Sequence, residues 1–564
     1  MSARDHPRGY RHPFVFGVHY LGGIGGIFPK DGMHYLVELA MCQYSAELRR
    51  TPEWWALFQN QDVREEWARW GCERVWKVRT PSEVRDVQLS AKQVDYVLDE
   101  LAGYAALRDP ENRCQPSCFE RIWEAEDLID ASELNERLSE LNERLSELQA
   151  ETPRATSGTT AHLIDPTLYP LIYNRTLVFH PHTTPHLRPV PPPTHPSPFP
   201  TPSDIYTTSF ISALLPSPVA LSPKGTATFT SYINNLHPID HFPLYTHLQT
   251  LLTAFIPLFE HTLTDLHRNN PLPQRIPGAC RYKVWDEPEE PEFSDDEEGW
   301  AAYEREVREW VMHRPIELPD VPVGGYPGGL ERRKHVVSLR GREVQVVVDV
   351  EEVRLEPGEP PYAGSPWHVA GMKNERIVAC GLYYTSIENL TPSTLQFRMA
   401  VTYPRGFTAG DTGATLRTWG LRDGDACHQH IGSRAVHSGL GIVFPNIYQH
   451  RQSPFSLADP TKSGWQRVVA FWLVDPEVEV LSTRVVPPQQ REWVREAVDV
   501  GVDRRVPVEV VEQIVEGVEG VMDVEEAEGW RGEVGEEREA FREANDRYYF
   551  CIPFDVWNVP GALH

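Results

Sequence analysis

The chain has no run approaching the ~18 consecutive apolar residues that a membrane-spanning helix needs, so no transmembrane helix is expected. The apolar stretch from Pro13 to Phe28 is interrupted by His19 and five glycines, and no A-x-A-like site follows, which makes it a poor signal peptide. Cysteine is sparse: eight residues are scattered at 42, 72, 114, 118, 280, 380, 427 and 551, without the dense pairing of a disulfide framework. Cys114 and Cys118 form a lone C-x3-C and read as free thiols rather than half of a zinc site. Positive charge is short as well. Against 81 acidic residues stand 54 Lys and Arg, a formal charge of −27, which argues against unaided binding to nucleic acid or anionic membranes. The Gly22–Gly26 run lacks the G-x-G-x-x-G spacing, because Phe28 stands where the third glycine belongs, and it reads as a turn. Cytoplasmic residence is the default expectation, with the nucleus open as well.

Hydrophobic residues at 40% and aromatics at 10% are ample for a packed core. Four regions are expected: a mainly helical 1–160, an α+β region over 161–320, a β-rich unit over 321–490 and an acidic helical tail over 491–564. Residues 32–108 read as helical throughout, with Thr51-Pro52 starting a Trp-rich helix from Glu53 to about Trp70. Residues 132–148 hold the repeat SELNERL-SELNERL-SELQ, whose leucines 134, 138, 141, 145 and 148 follow a coiled-coil seam. It reads first as a helix packing on its own domain, with self-association through 132–148 as the alternative. The proline-dense stretch 181–203 reads as an extended loop, and the acidic run 286–297 as a solvated one. A helix is predicted from about Leu244 to His267, kinked at Pro257.

After residue 335 the apolar period becomes two. Val344, Val346, Val348 and Val350 alternate with Glu343, Gln345, Val347 and Asp349, the mark of a strand with one face more buried. Arg376–Thr385, Thr394–Val401, Leu440–Phe444 and Val468–Val474 read as further strands. Short strands at this spacing predict an α+β protein built on a jelly roll, a double-stranded β-helix of cupin type, over ~330–485. Strands borrowed from 160–240 and helices packed outside would complete it.

Within that unit, Trp367-His368-Val369-Ala370-Gly371 precedes one strand, Gln449-His450 ends a second, and Arg467 opens a third. The order and strand context resemble iron/2-oxoglutarate oxygenases, which hold Fe(II) with two histidines and a carboxylate and grip the co-substrate with a basic residue. The runs PYAGSPWHVAGMKNERIVACGLYYTSIENLT (361–391), FPNIYQHRQSPFSLADPTKSGWQRVVAFWLVDP (444–476) and VPPQQREW (486–493) resemble the fungal "domain of unknown function 4246" family. The resemblance covers most of 30–493. It implies His368 and His450 as metal ligands, Arg467 as the 2-oxoglutarate anchor, and Fe(II) and 2-oxoglutarate as cofactors. The expected W-H-V-E-G is W-H-V-A-G here, so Ala370 stands where the carboxylate ligand belongs.

Three consequences stay open. The site is impaired, leaving a degenerate relative or a non-catalytic scaffold; another carboxylate compensates, with Glu375 nearest in sequence; or chloride fills the vacancy, as in H-x-A halogenases. The substrate, a small molecule or a protein, is not legible. Cys427-His428-Gln429-His430 is a second cluster of metal-binding types but reads as a loop without a partner set.

Overall fold

A computed structural model describes residues 10–14, 32–126, 128, 140–148, 160–179, 186–194, 202–282, 287–501 and 506–557. The Gly22–Gly26 run, leucines 134 and 138, and parts of the proline-dense and acidic stretches lie outside them. The chain is a mixed α/β protein whose sheets pair antiparallel throughout.

The strands that matter are β1 Val75–Arg79, β2 Val84–Gln88, β3 Gln115–Pro116, β4 Trp123–Ala125, β5 Thr160–Ile164, β6 Ser217–Leu221 and β7 Ala227–Phe229. The C-terminal half adds β8 Glu343–Leu355, β9 Ile377–Glu388, β10 Thr394–Ala400, β11 His428–Ala435, β12 Gly441–Pro445, β13 Tyr448–Gln452 and β14 Gly464–Val474. The helices are α1 Leu36–Leu48, α2 Gln61–Glu73, α3 Ala91–Leu107, α4 over 140–148, α5 Phe242–Leu266 and α6 Val524–Asn545.

The large sheet runs β7-β6-β8-β14-β9-β12-β4-β3, with β5 also pairing β8, and a second sheet runs β11-β10-β13. Strands from 115–229 thus join those from the C-terminal half. The sheets face each other: Phe397 and Phe444 meet at 5.0 Å, and Tyr384 Oη donates to Gln452 Oε1 at 3.2 Å.

On its other face the large sheet is covered by α5, a helix rich in buried Leu, Phe and Ile that runs through Pro257. Phe255 is fully buried against Tyr383 and Phe471. Burying one such ring contributes about 1.5–3 kcal/mol. The helix comes so close because β9 carries Gly381; a Cβ there would meet Phe255 at 2.8 Å. Leu141, Leu145 and Leu148 of α4 are buried in the same core, so the described part of the leucine repeat packs on its own chain.

The sequence expectation fails in two places near the N-terminus. The region read as helical over 32–108 contains the hairpin β1–β2, whose register runs from Val75 opposite Gln88 to Arg79 opposite Val84. Pro81 lies in its turn and could not continue a helix. The helix expected from Glu53 to Trp70 is broken, because Asn60 caps a new one by accepting from Asp62 N and Val63 N. Within the proline-dense stretch, Leu187–Pro189 pairs with Leu177–Phe179 rather than remaining a loop.

Near α1 and α3, Arg275 is fully buried; it donates to Glu100 at 3.0 Å and to Glu120, and Glu38 accepts from its backbone N–H. No helix among the described residues is long and apolar enough to cross a membrane.

Candidate functional site

A cavity of about 120 Å³ lies between the two sheets, lined by residues that alternate along their strands: Gln466, Val468, Ala470 and Trp472 of β14, and Asp349, Glu351 and Val353 of β8. His450 and Gln452 of β13 line the opposite wall, and His368 and Ala370 close one end. A wider space of about 330 Å³ continues outward past His368 and Ala370 to Arg538, Phe541 and Arg542 of α6.

The two histidines are brought together by backbone geometry. His368 N donates to His450 O at 3.2 Å and His450 N donates to His368 O at 3.1 Å, an isolated bridge that sets the rings 4.2 Å apart between centroids. The chain leaves His368 through Gly371, whose φ of 65° favours glycine and whose Cβ, if present, would lie 2.6 Å from Ile377. Asn446 pins this turn: its Oδ1 accepts from Ala370 N at 2.8 Å, and its Nδ2 donates to Ala370 O at 2.8 Å and Ile377 O at 3.0 Å.

Electrostatics favour two neutral imidazoles. Burial, with His368 alongside, pushes His450 well below the ordinary histidine value. Burial also lowers His368, and Arg542 adds to the effect. The His368 Nδ1–H donates to Pro366 O at 2.9 Å, which leaves Nε2 with its lone pair free to ligate. His450 Nδ1 is buried without a hydrogen-bond partner among the described residues.

Arg467 does not join them. The cavity-facing residues of β14 are its neighbours 466, 468, 470 and 472, so Arg467 points to the opposite face, toward α4. There it donates to Glu352 at 2.6 Å and 2.9 Å and to Asn142 O at 3.1 Å, which corrects the expectation that it reaches the histidines.

Glu375 is likewise committed elsewhere. Its oxygens accept from Met372 N, from Leu214 N at 3.1 Å and from Arg538 at 2.6 Å, so it does not stand in for the carboxylate absent at position 370. Among the described residues, the one group of three or more His, Cys, Asp or Glu with ligand atoms all within 4.8 Å is His237, Asp240 and Glu496, none of which lines the cavity. His428 and His430 sit on β11, a strand rather than the expected loop, with rings 5.5 Å apart.

The sequence reading missed the acids inside the cavity. Asp349 is buried and accepts from His162 of β5 at 2.8 Å. Burial disfavours the charged ring of His162, but the Asp349 carboxylate outweighs this and lifts it to about 10. Glu351 is raised, chiefly by burial. Nothing in the sequence pattern alone marked them, because both faces of β8 are buried over most of its length.

No curated protein matches the chain. Among solved structures it is similar to a selenomethionine-labelled Fe(II)/α-ketoglutarate-dependent dioxygenase, TqaL, at 12% identity over 28% of this chain and 52% of that one, TM-score 0.16. A prolyl-4-hydroxylase from Pseudomonas putida is similar at 12% identity over 22% and 51%, TM-score 0.12. The vicilin from Solanum melongena is similar at 12% identity over 40% and 49%, TM-score 0.11. The chain spans about half the length of each, and scores this low bear no weight for fold or activity. The sequence itself is decisive: the protein of unknown function (DUF4246) family matches residues 91–497, and the chain belongs to it.

Proposed function

We propose that the cavity between the sheets is the metal pocket of an iron/2-oxoglutarate dioxygenase-like jelly roll in which His368 and His450 are the protein's ligands and the carboxylate has been lost. The observation that carries the reading is the juxtaposition of two imidazoles at 4.2 Å, one of them with a buried, unpartnered ring nitrogen. Neutral imidazoles this close together suit a divalent iron ion. When bound, such an ion supplies open coordination positions for an anionic co-substrate and dioxygen. Of the cations that line the outer space, we assign the anion's attraction to Arg538 and Arg542, which pair with Glu375 and Glu539, in the role first assigned to Arg467.

With Ala370 in place of an anionic ligand the ion is held weakly, and the protein is an impaired oxygenase. The missing carboxylate also favours a second reading, a non-catalytic binder that keeps the cavity without turnover.

Anaerobic Fe(II) titration with 2-oxoglutarate tests both readings. Weak binding is expected in the wild type, tighter binding by on the order of 10–100-fold in Ala370→Glu, and none in the His368→Ala/His450→Ala double variant. Turnover by the Ala370→Glu protein would support oxygenase descent, and binding without turnover the second reading. Tight wild-type binding that requires chloride would point instead to a halogenase-type site. Equal binding by all three proteins would overturn the assignment.

A further inference from the structure

Although the chain is strongly acidic, one cavity of about 320 Å³ is lined by Arg50, Arg74, Lys77 and Arg79, with Glu47 as its one acid. It lies between α1, the β1 strand and the small sheet, where Gln396, His430 and Ser433 contribute to its wall. Three of the cations have acidic neighbours: Glu47 lies 3.7 Å from Arg50 and 4.0 Å from Arg74, and Lys77 lies 2.6 Å from Asp86. The Arg79 guanidinium has no hydrogen-bond or ion-pair partner among the described residues.

Behind the wall the charge continues. The His430 ring lies 5.5 Å from Trp367, which is held between Arg398 at 4.7 Å and Arg451 at 4.6 Å from its ring centroid. Arg398 reaches Asp546, but among the described residues Arg451 donates only to the neutral Gln396 Oε1, at 2.9 Å. Burial and the His428 ring, with Arg79, Arg398 and Arg451, push His430 down to about 2, so its ring is neutral and offers one N–H. Arg79 is the cation lining the recess that has no acidic neighbour among the described residues; an anion supplies one, and an oxyanion with several acceptor oxygens matches donors that arrive from separate elements.

We propose that this cavity binds a phosphoryl group, as free phosphate or on a small phosphorylated molecule, with Arg79 as its principal charge partner. Its volume lies at the small end of the ~300–1,000 Å³ typical of small-molecule sites. It is separate from the histidine cavity, with which it shares no lining residue.

The test is thermal melting of the full chain with inorganic phosphate, with glycerol 3-phosphate, and with sodium chloride at matched ionic strength. A saturable rise in Tm with phosphate but not with chloride is expected, and a lower midpoint for glycerol 3-phosphate would identify the phosphorylated molecule as the natural source. Arg79→Gln should weaken the phosphate response by about 10-fold or more. Its Tm in chloride should be unchanged or higher, since a repelling charge has gone. The proposal is overturned by a wild-type response no greater than that to chloride, by unchanged phosphate affinity in Arg79→Gln, or by a lowered Tm of that variant in chloride, which would make Arg79 structural.

Discussion

Arg467 and Glu352 are register partners across β14 and β8, and the guanidinium Nη2 stands 2.6 Å from the carboxylate with both side chains almost wholly buried. The pair ties the helix-covered face of the large sheet to α4, one strand thickness away from the histidine cavity. A buried ion pair of this kind is costly to break by halves, because the survivor keeps its charge without a partner.

Arg467→Ala should therefore destabilise the protein by roughly 3–5 kcal/mol. Arg467→Met/Glu352→Met should recover most of that loss. Chemical denaturation measures both. Metal affinity at the histidines should not change in the double variant; a large loss there would return Arg467 to the site.

Glu375→Gln separates structural from ligand roles. The carboxylate holds two backbone N–H groups and Arg538, so the loss should be about 1–3 kcal/mol of stability. Fe(II) titration of the folded variant should match the wild type. A collapse of metal binding would mark Glu375 as the substitute ligand.

Asn446→Ala should do the reverse. Asn446 fixes the position of Ala370 and, through it, the turn that aims His368. Losing such a support typically weakens a metal site by ~10–100-fold. A metal titration with unchanged midpoint would show that the backbone bridge alone positions the ring.

The Arg275 cluster predicts an acid-dependent stability. Burial would raise Glu120, but the charge and hydrogen bond of Arg275 prevail and hold it at about 2, below its ordinary 4.5. A depressed carboxylate stabilises the fold above its unfolded value, and that contribution drains away as the pH falls from 4.5 toward 2. Glu120→Gln should thus lose stability at neutral pH and show a shallower decline from pH 4.5 toward about 2, the window of the shift. Parallel wild-type and variant curves across that range would refute it.

Strands were legible where the period of two was plain: β9, β10, β12 and β14 fall within a few residues of their sequence boundaries. The histidines were legible as a pair because each sits beside a strand end in a recognisable order. Arg467 was not, for a geometric reason. Period two says that Arg467 and Gln466 face opposite ways, but nothing local says which way is inward when both faces of the strand are covered. The same ambiguity hid Asp349 and Glu351, which lie on a strand buried on both faces over most of its length. The β1–β2 hairpin was lost among flanking helices whose Trp and Val residues blur one period into the other.

The helix α6 contributes Arg538, Phe541 and Arg542 to the outer space beside His368, yet it begins at Val524, outside the residues 91–497 over which the chain matches its family. The vestibule and the chamber are thus encoded separately. Substitutions in the tail can retune what enters without disturbing the sheets, while the chamber, tied into every strand around it, has far less room to change. Two proteins with the same 91–497 core and different tails would then admit different molecules, and exchanging tails between them would exchange that selectivity.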